Sequence, residues 1–260
     1  MSAWSMHLVG RRWLLTQTGR GAVGVAVLGL VACSDSGQSA NGGGSSRSAT
    51  KGATPTESAP AGAAAELTWS RVNLGFVSAY VLVRGREAAV VDTGVGGSAD
   101  AIGAVLDDAG PGWAGVRHVV LTHKHPDHVG SLSDVLDQAP RATVYIGAED
   151  LAEVEAPRPV TALGDGDEVF GLQIVATPGH TAGHVAVFDP DTAVLVAGDA
   201  LTTMDGLTGS NPQFTEDAAA AAASVRKLAR LEPTSILVGH GDPLQDGASA
   251  ALRELATSLA

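Results

Sequence analysis

Hydrophobic residues from Leu67 onward fall into short runs, which are separated by turns and by stretches with helical spacing. The runs AYVLVRG and EAAVVDTG predict two strands joined by a tight turn at Arg84-Gly85-Arg86. The run VRHVVLT is almost continuously apolar, which predicts a strand buried on both faces. We predict further strands in TVYIG, LQIVATPG, HVAVFDP, AVLVAGD and TSILVGH.

Three segments between and after these strands have the spacing of amphipathic helices. The segment SADAIGAVLDDAG predicts a helix with Ser98 as its capping residue and Gly110 as its end. The segment TEDAAAAAASVRKLARLE predicts a second helix with Thr215 as its cap, acids in its first turn and basic residues in its last. ASAALRELATSL predicts a closing helix. Strands that alternate with helices in this way favour an α/β domain.

The order of these elements repeats along the chain. Two predicted hairpins end in aspartates, Asp92 and Asp199, and each hairpin is followed by a helix and by a buried strand that ends in a histidine, His123 or His240. Two such copies are expected to pack sheet against sheet with helices outside, which brings the four side chains to one edge. Alternating α/β chains also show a repeated order of elements by chance, so the repeat alone does not establish the fold.

Residues 1–32 differ from the rest in composition, with three arginines, no acid and the apolar run GAVGVAVLGLVA. That run is shorter than the about 20 residues of a membrane span, and it fits the apolar core of a signal peptide. It ends in LVAC, which resembles the lipobox of bacterial lipoproteins, where the cysteine is lipidated. We therefore expect an exported protein that is anchored through Cys33 to the outer face of the bacterial cell membrane. An ordinary signal peptide with an incidental cysteine is the alternative.

The pair Arg11-Arg12 before the apolar run resembles a twin-arginine export signal, and general secretion is the alternative. Residues 33–65 consist mainly of Gly, Ser, Ala, Thr and Pro. Such a segment cannot bury enough apolar surface to offset its chain entropy, so we predict a flexible tether. The folded domain is then expected at residues 66–260, which is long enough for one buried core.

Composition and charge exclude several classes of function. The formal net charge is −12 and no basic stripe is visible, which argues against a nucleic-acid partner. Cys33 is the only cysteine, so the chain has neither an intrachain disulfide nor a cluster of thiolate metal ligands.

The densest group of chemically active residues is THKHPDH, which follows the buried strand. His123 and His125 lie two residues apart, so in an extended chain their side chains point the same way. Pro126 suits the first turn of a helix, and the turn brings Asp127 and His128 back beside the two histidines. Nitrogen and oxygen ligands of this kind suit zinc, manganese or iron. A solvated polar loop is the alternative interpretation, and the density of ligand types favours a metal site.

THKHPDH resembles the signature of the metallo-β-lactamase superfamily of metal-dependent hydrolases. The segments VDTG, TPGHTAGH, VAGDA and VGHGDP match further motifs of that family in order. The resemblance extends from Leu67 to about Leu244. It implies the family's fold, a four-layer αβ/βα sandwich in which two mixed β-sheets pack face to face with helices outside.

The same resemblance implies a metal centre with two Zn²⁺ ions, for which manganese or iron would be alternatives. It also implies a small-molecule substrate and a metal-bound hydroxide as the nucleophile, with Asp127 as a further catalytic residue. The implied ligands are His123, His125 and His180 for one metal, Asp127, His128 and His240 for the second, and Asp199 as the bridge.

Four other polar residues near these motifs are not expected to bind metal. Asp92 and His184 are expected to orient the ligands from behind. His118 is expected to pack within its strand, and Lys124 to be exposed to solvent. Substrate specificity is expected to lie in the loops around the metals, at residues 75–77, 149–160 and 202–214.

Departures from individual members of the family narrow the activity. The cysteine-containing zinc β-lactamases carry a thiolate where Asp199 falls, whereas the ligands present here are similar to those of glyoxalase II and the lactonases. We therefore predict hydrolysis of an ester, thioester or lactone. A mononuclear iron enzyme similar to persulfide dioxygenases, a β-lactamase and a non-catalytic binding protein are the alternatives. Few residues follow His240, so the helical segment with which glyoxalase II binds glutathione is expected to be absent. The oligomeric state stays open.

Overall fold

The computed structural model describes residues 65–259. The predicted signal peptide, nearly all of the predicted tether and Cys33 lie outside the described residues. Within residues 65–259, no helix has both the length and the apolar character needed to cross a membrane.

The described chain alternates strands with short helices. Its strands are β1 (Thr68–Asn73), β2 (Ser78–Arg84), β3 (Glu87–Val91), β4 (Val116–Val120), β5 (Thr143–Gly147), β6 (Val160–Leu163), β7 (Glu168–Val169), β8 (Leu172–Ala176), β9 (Val185–Asp189), β10 (Val194–Gly198), β11 (Leu201–Thr202), β12 (Thr208–Gly209) and β13 (Ser235–Val238). Its helices are α1 (Ala99–Ala109), α2 (Gly112–Gly115), α3 (Pro126–Val129), α4 (Leu132–Gln138), α5 (Ala218–Ala229) and α6 (Ala248–Ser258), with a 3-10 turn at Leu151–Glu153.

Two mixed sheets form the centre of the domain. The first has the strand order β1-β2-β3-β4-β5-β6, in which β1 to β3 are antiparallel neighbours and β3 to β6 run parallel. The second has the order β13-β10-β9-β8-β7, in which only β10 and β13 are parallel. Strands β11 and β12 form a small separate ribbon.

Buried side chains form three apolar clusters, which define the layers. In β2, Ala79, Val81 and Val83 belong to a cluster beneath α1 and α4, whereas Tyr80 and Leu82 belong to a cluster shared with the second sheet. A third cluster lies between the second sheet and helices α5 and α6. Because successive strand residues face opposite sides of a sheet, each sheet packs on both faces. The predicted sandwich with helices outside is confirmed.

The repeat predicted from the sequence is present in the fold. The antiparallel hairpin of β2 and β3 is followed by α1 and by β4, which pairs parallel to β3. The antiparallel hairpin of β9 and β10 is followed by α5 and by β13, which pairs parallel to β10. The chain therefore leaves the two sheets at equivalent strand ends, after β3 and β4 in the first sheet and after β10 and β13 in the second.

Ser98 and Gly110 lie at the two ends of α1 as predicted, whereas the capping prediction for α5 was wrong. Ser98 precedes α1 as predicted, but its hydroxyl donates to the Val95 carbonyl and does not cap the helix. Helix α5 begins after Asp217, whose carboxylate accepts hydrogen bonds from two backbone N–H groups of the first turn. The hydroxyl of Thr215 instead donates to the Asn211 carbonyl. The acids predicted inside the first turn therefore precede the helix.

The sequence analysis also missed the two edge strands of the first sheet, β1 and β6. Most of their residues are partly or fully exposed. Edge strands with one open side need no continuous apolar run, so the hydrophobic pattern did not mark them.

Candidate metal centre

Seven histidine and aspartate side chains meet where strands of both sheets end. The loop that follows β4 and enters α3 supplies four of them, and the loop that follows β8 supplies a fifth. The sixth, Asp199, directly follows β10. The seventh, His240, follows Gly239 at the end of β13. In α/β folds, the carboxyl ends of strands are the usual place for a binding site, because loops from several strands converge there.

The first group consists of three imidazoles whose ring nitrogens face one another. His123 Nε2 lies 3.0 Å from His125 Nδ1, which lies 2.9 Å from His180 Nε2. Burial holds the pKa of His123 well below its usual value and lowers the pKa of His180 to about 4. The three ring nitrogens lie close enough together to hold one cation, and an imidazole nitrogen binds a cation through its lone pair.

The second group consists of Asp127, His128 and His240. Asp127 Oδ2 lies 3.4 Å from His240 Nε2 and 3.9 Å from His128 Nε2. Hydrogen bonds to Asp127 and Asp199 raise the pKa of His240 to about 10, and the same contact with His240 lowers the pKa of the Asp127 carboxyl. Three ligand atoms again lie close enough together to hold one cation.

Asp199 lies between the two groups. Its Oδ2 is 3.5 Å from His180 Nε2 in the first group and 3.1 Å from His240 Nε2 in the second. Its Oδ1 is 3.3 Å from His128 Nε2. Burial opposes ionisation of this carboxyl, but the neighbouring His128 outweighs it and holds the pKa of Asp199 well below its usual value. The ionised carboxylate therefore lies between the two groups of ligand atoms.

The surroundings of two atoms at the centre of the site indicate whether these residues fit metal ions. Within the described residues, His128 Nε2 and Asp199 Oδ1 are buried and have no hydrogen-bond partner. A buried polar atom without a partner costs free energy, and a cation beside both atoms would remove that cost. All of the ligand atoms are nitrogen or oxygen, which suits zinc, manganese or iron. The residues fit divalent cations.

The other ring nitrogen of four imidazoles is held by a neighbouring oxygen, which fixes the orientation of each ring. These pairs are His123 Nδ1 with Thr122 Oγ1 (3.0 Å), His128 Nδ1 with Asp92 Oδ2 (2.8 Å), His180 Nδ1 with Ser210 Oγ (2.9 Å) and His240 Nδ1 with the Phe76 carbonyl (2.6 Å).

Asp92 lies behind the cluster, and among the described residues His128 is the ligand candidate with which its carboxylate forms a hydrogen bond. Its Oδ1 accepts a hydrogen bond from the backbone N–H of Thr122 (2.7 Å), and the Thr122 hydroxyl donates to both carboxylate oxygens. Its backbone has a positive φ of 62°, an unusual conformation for a residue with a side chain. Asp92 thus ties the end of β3 to the residue before His123.

His184 is buried behind Asp199. Its Nε2 accepts a hydrogen bond from the Asp199 backbone N–H (3.1 Å), and its Nδ1 lies 2.7 Å from the Thr177 hydroxyl. Burial lowers the pKa of His184 to about 3, so the ring is neutral. Both nitrogens are engaged with protein partners, so His184 supports the backbone that carries Asp199.

The prediction that Lys124 is exposed was wrong. Only 15% of its side chain is accessible, and its Nζ forms ion pairs with Glu153 (2.6 Å) and Glu216 (3.0 Å). The hydrogen bond with Glu153 raises the pKa of Lys124. His118 lies in β4 and packs against Tyr145, with its Nδ1 3.3 Å from the hydroxyl.

Asp150, Ser210 and Phe76 lie in the loops that the sequence analysis expected around the metals, but it did not predict that they support the ligands. Asp150 comes shortly after β5 at the strand end where Asp92 follows β3 and His123 follows β4. That position at the edge of a parallel sheet was a usable signal. No sequence signal marks Ser210 or the Phe76 carbonyl, because they contact histidines that are 30 and 164 residues away.

Sequence comparison relates this chain to proteins that are named as metal-dependent or related hydrolases. The family model described as "Metallo-beta-lactamase superfamily" matches residues 72–240. A Bacillus subtilis protein named "Probable metallo-hydrolase YflN" is 31% identical, over 60% of this chain and 75% of that protein. A hydroxyacylglutathione hydrolase from Cereibacter sphaeroides is 36% identical, over 50% of this chain and 49% of that protein. The chain thus aligns with about half of the latter.

Solved structures resemble the fold as well. The structure of TTHA1623 in a di-iron-bound form is 28% identical with a TM-score of 0.56, over 67% of this chain and 92% of that chain. The structure of the BLEG-1 B3 metallo-beta-lactamase is 25% identical with a TM-score of 0.61, over 74% of this chain and 99% of that chain.

The bridging position of Asp199 generates a test. We expect the purified protein to bind two divalent cations and Asp199→Ala to lose affinity for both, because each cation loses a ligand. The expected loss is roughly 100-fold or more, which exceeds the about 10–100-fold typical of lost supporting contacts. Elemental analysis and competition with a chelator measure it. Asp242→Ala is the control, since that exposed carboxylate pairs with Arg71. Two cations bound to Asp199→Ala with unchanged affinity would refute the assignment.

Proposed function

Since the chain belongs to the metallo-beta-lactamase superfamily, whose members here include metal-dependent hydrolases, we propose that it hydrolyses an ester, thioester or lactone with two zinc ions. The observation that carries this proposal is the position of the Asp199 carboxylate between two separate groups of ligand atoms. We assign His123, His125 and His180 to one cation and Asp127, His128 and His240 to the other.

Two bound cations would supply an activated water at neutral pH and would stabilise negative charge on the reacting carbonyl oxygen. The protein's part is to place the ligands rigidly and to manage the proton. Asp127 is the residue proposed for that proton, because its carboxylate is partly accessible, with 27% of the side chain exposed. Its low pKa keeps it ionised, so the carboxylate oxygen that does not hold the cation could accept a proton from the attacking water and return it to the leaving group.

The border of the site favours an apolar substrate. Three of the four exposed large hydrophobic side chains in the described residues are Phe76, Met204 and Phe214. The Phe76 ring stacks on His240 with centroids 6.2 Å apart, and the residue before Met204 donates a backbone hydrogen bond to the His240 carbonyl. The residue two after Phe214 donates to the His180 carbonyl. Solvent-exposed apolar groups around a polar centre are typical of ligand contacts.

Charge at the border favours a neutral substrate. Lys124 is held between Glu153 and Glu216, and Arg71 binds Asp242. The Lys124 ammonium and the Arg71 guanidinium are already paired with acids, so neither side chain is free to bind a carboxylate of the substrate. We therefore propose a neutral substrate with an apolar acyl group rather than an anionic thiol conjugate.

A β-lactamase is the second candidate, and the similarity to the BLEG-1 metallo-beta-lactamase favours it. A mononuclear iron oxygenase is the third, and it would use the three-histidine group alone. The complete second group of Asp127, His128 and His240 favours the two-metal hydrolase over this possibility.

A hydrolysis screen tests the proposed reaction. We expect the zinc-loaded protein to cleave neutral esters, thioesters or lactones without oxygen uptake. Asp127→Asn, assayed with both sites saturated with zinc, should lower kcat about 100-fold or more, since general acid–base groups contribute about 10²–10⁴-fold. Asp205→Asn, in the exposed turn between β11 and β12, should retain activity. Cleavage of β-lactams alone would support the second candidate, and oxygen uptake with one bound iron would support the third.

The apolar border predicts a chain-length preference that depends on Phe76. We expect Phe76→Ala to lower kcat/KM for a hexanoyl ester by about tenfold, which is the lower end of the effect of one apolar contact. The acetyl ester of the same alcohol should be almost unaffected, because it is too short to reach the ring. Leu259→Ala removes another exposed apolar side chain and serves as the control. Equal losses for both esters would contradict a role in acyl recognition.

We also propose that residues 1–32 direct export, that residues 33–65 are a tether and that lipidated Cys33 anchors the domain 66–260 to the outer face of the cell membrane. The LVAC sequence and the single cysteine support this proposal. Cys33→Ser should move the protein from the membrane fraction to the soluble extracytoplasmic fraction, as followed by fractionation and mass of the mature N-terminus. Ser36→Ala should leave it in the membrane. Unchanged membrane association of Cys33→Ser would refute the anchor.

A further inference from the structure

Asp150 is a fully buried carboxylate that the proposed mechanism does not use. It follows β5, and it accepts three hydrogen bonds from two other loops. Its Oδ1 accepts from the backbone N–H of Gly183 (2.8 Å). Its Oδ2 accepts from the backbone N–H of Lys124 (3.1 Å) and from the hydroxyl of Thr181 (2.6 Å).

The three donors belong to the two loops that carry the three-histidine group. Lys124 lies between His123 and His125, and Thr181 directly follows His180. One carboxylate therefore joins the loop after β4, in the first sheet, to the loop after β8, in the second sheet. Hydrogen bonds to an ionised acceptor are stronger than those between neutral groups, and burial strengthens them further.

Two further contacts show that this junction is closely packed. A Cβ atom added to Gly183 would lie 2.4 Å from the Asp150 backbone nitrogen, so the loops approach as closely as only glycine allows. The Lys124 ammonium binds Glu216, whose carboxylate accepts a hydrogen bond from the backbone N–H of Ala182 (3.1 Å). The side chain of Lys124 thus repeats, on the outer side, the connection that Asp150 makes inside.

The second metal group has other supports. His128 is oriented by Asp92, and His240 by the carbonyl of Phe76. Among the hydrogen bonds of the described residues, none joins Asp150 to Asp127, His128 or His240. A change at Asp150 is therefore expected to disturb one group and to leave the other in place.

We propose that Asp150 is a positioning residue for the three-histidine group. Its carboxylate holds the loop of His123 and His125 against the loop of His180, at the spacing that a single cation requires. The inference rests on the proposed function, because it presumes that these three imidazoles bind a cation. It adds that one side chain outside the ligand set controls the affinity of one metal group and not of the other.

The test is a zinc titration of the metal-free full chain, wild type against Asp150→Asn, by calorimetry and by elemental analysis after dialysis. Asparagine keeps the shape but places an N–H₂ group against donors that need an acceptor. We expect affinity for one of the two zinc ions to fall about 10–100-fold, the range for lost supporting contacts, while the other is unchanged. Thr181→Val removes a single donor, folds with less disturbance, and should weaken the same ion by a smaller factor.

Asp189→Asn is the matched control. Asp189 is an equally buried aspartate at the far end of β9, where it binds Arg84 and Thr192. Its substitution should lower thermal stability and leave both zinc affinities unchanged, so a general loss of stability is separated from a loss of positioning. Wild-type affinities for both ions in Asp150→Asn and Thr181→Val would overturn the inference alone. A wild-type chain that binds no zinc would overturn the proposed function and the inference with it.

Discussion

The rest of the site depends on the contacts that the Asp199 carboxylate makes with three histidines. Its two oxygens lie within 3.5 Å of nitrogens of His128, His180 and His240, which come from three different loops. A buried charge has to be compensated locally, because solvent cannot reach it. Its partners come from both sheets, so the carboxylate is stable only when the two sheets pack in one relative position.

Backbone contacts at the same edge hold that position. The Thr122 carbonyl, in the first sheet's loop, accepts from the Val185 N–H of the second sheet (2.9 Å), and the Gly239 carbonyl accepts from the Ser78 N–H (2.9 Å). The Tyr80 hydroxyl donates to the carbonyl at the end of β13, and burial raises the pKa of Tyr80 to about 12, so it keeps its proton. A Cβ atom on Gly239 would lie 2.0 Å from Asp199 Oδ1, so this approach also needs glycine.

Burial and charge act in opposite directions on the imidazoles of the site. Burial keeps the pKa of His123 and His180 low, so these rings present lone pairs. Burial would also lower the pKa of His128, but the carboxylates of Asp199 and Asp92 outweigh it and raise that pKa well above its usual value. An acidic bridge among nitrogen ligands is an arrangement that attracts divalent cations. The exposed apolar side chains and the ion-paired basic side chains at its border are the basis of our proposal that the substrate is neutral and apolar.

The sequence by itself determined the local chemistry and the order of the elements. The single residue between His123 and His125, a turn at Pro126 and strands that end in aspartate or histidine are properties of neighbouring residues, so their pattern is visible in the chain. Only the tertiary structure decided which oxygen orients each ring, how Asp150 joins two loops and where the edge strands lie. Such contacts join residues as far apart as Phe76 and His240, and they depend on how the sheets pack. The spacing of residues along the chain does not specify how the two sheets pack.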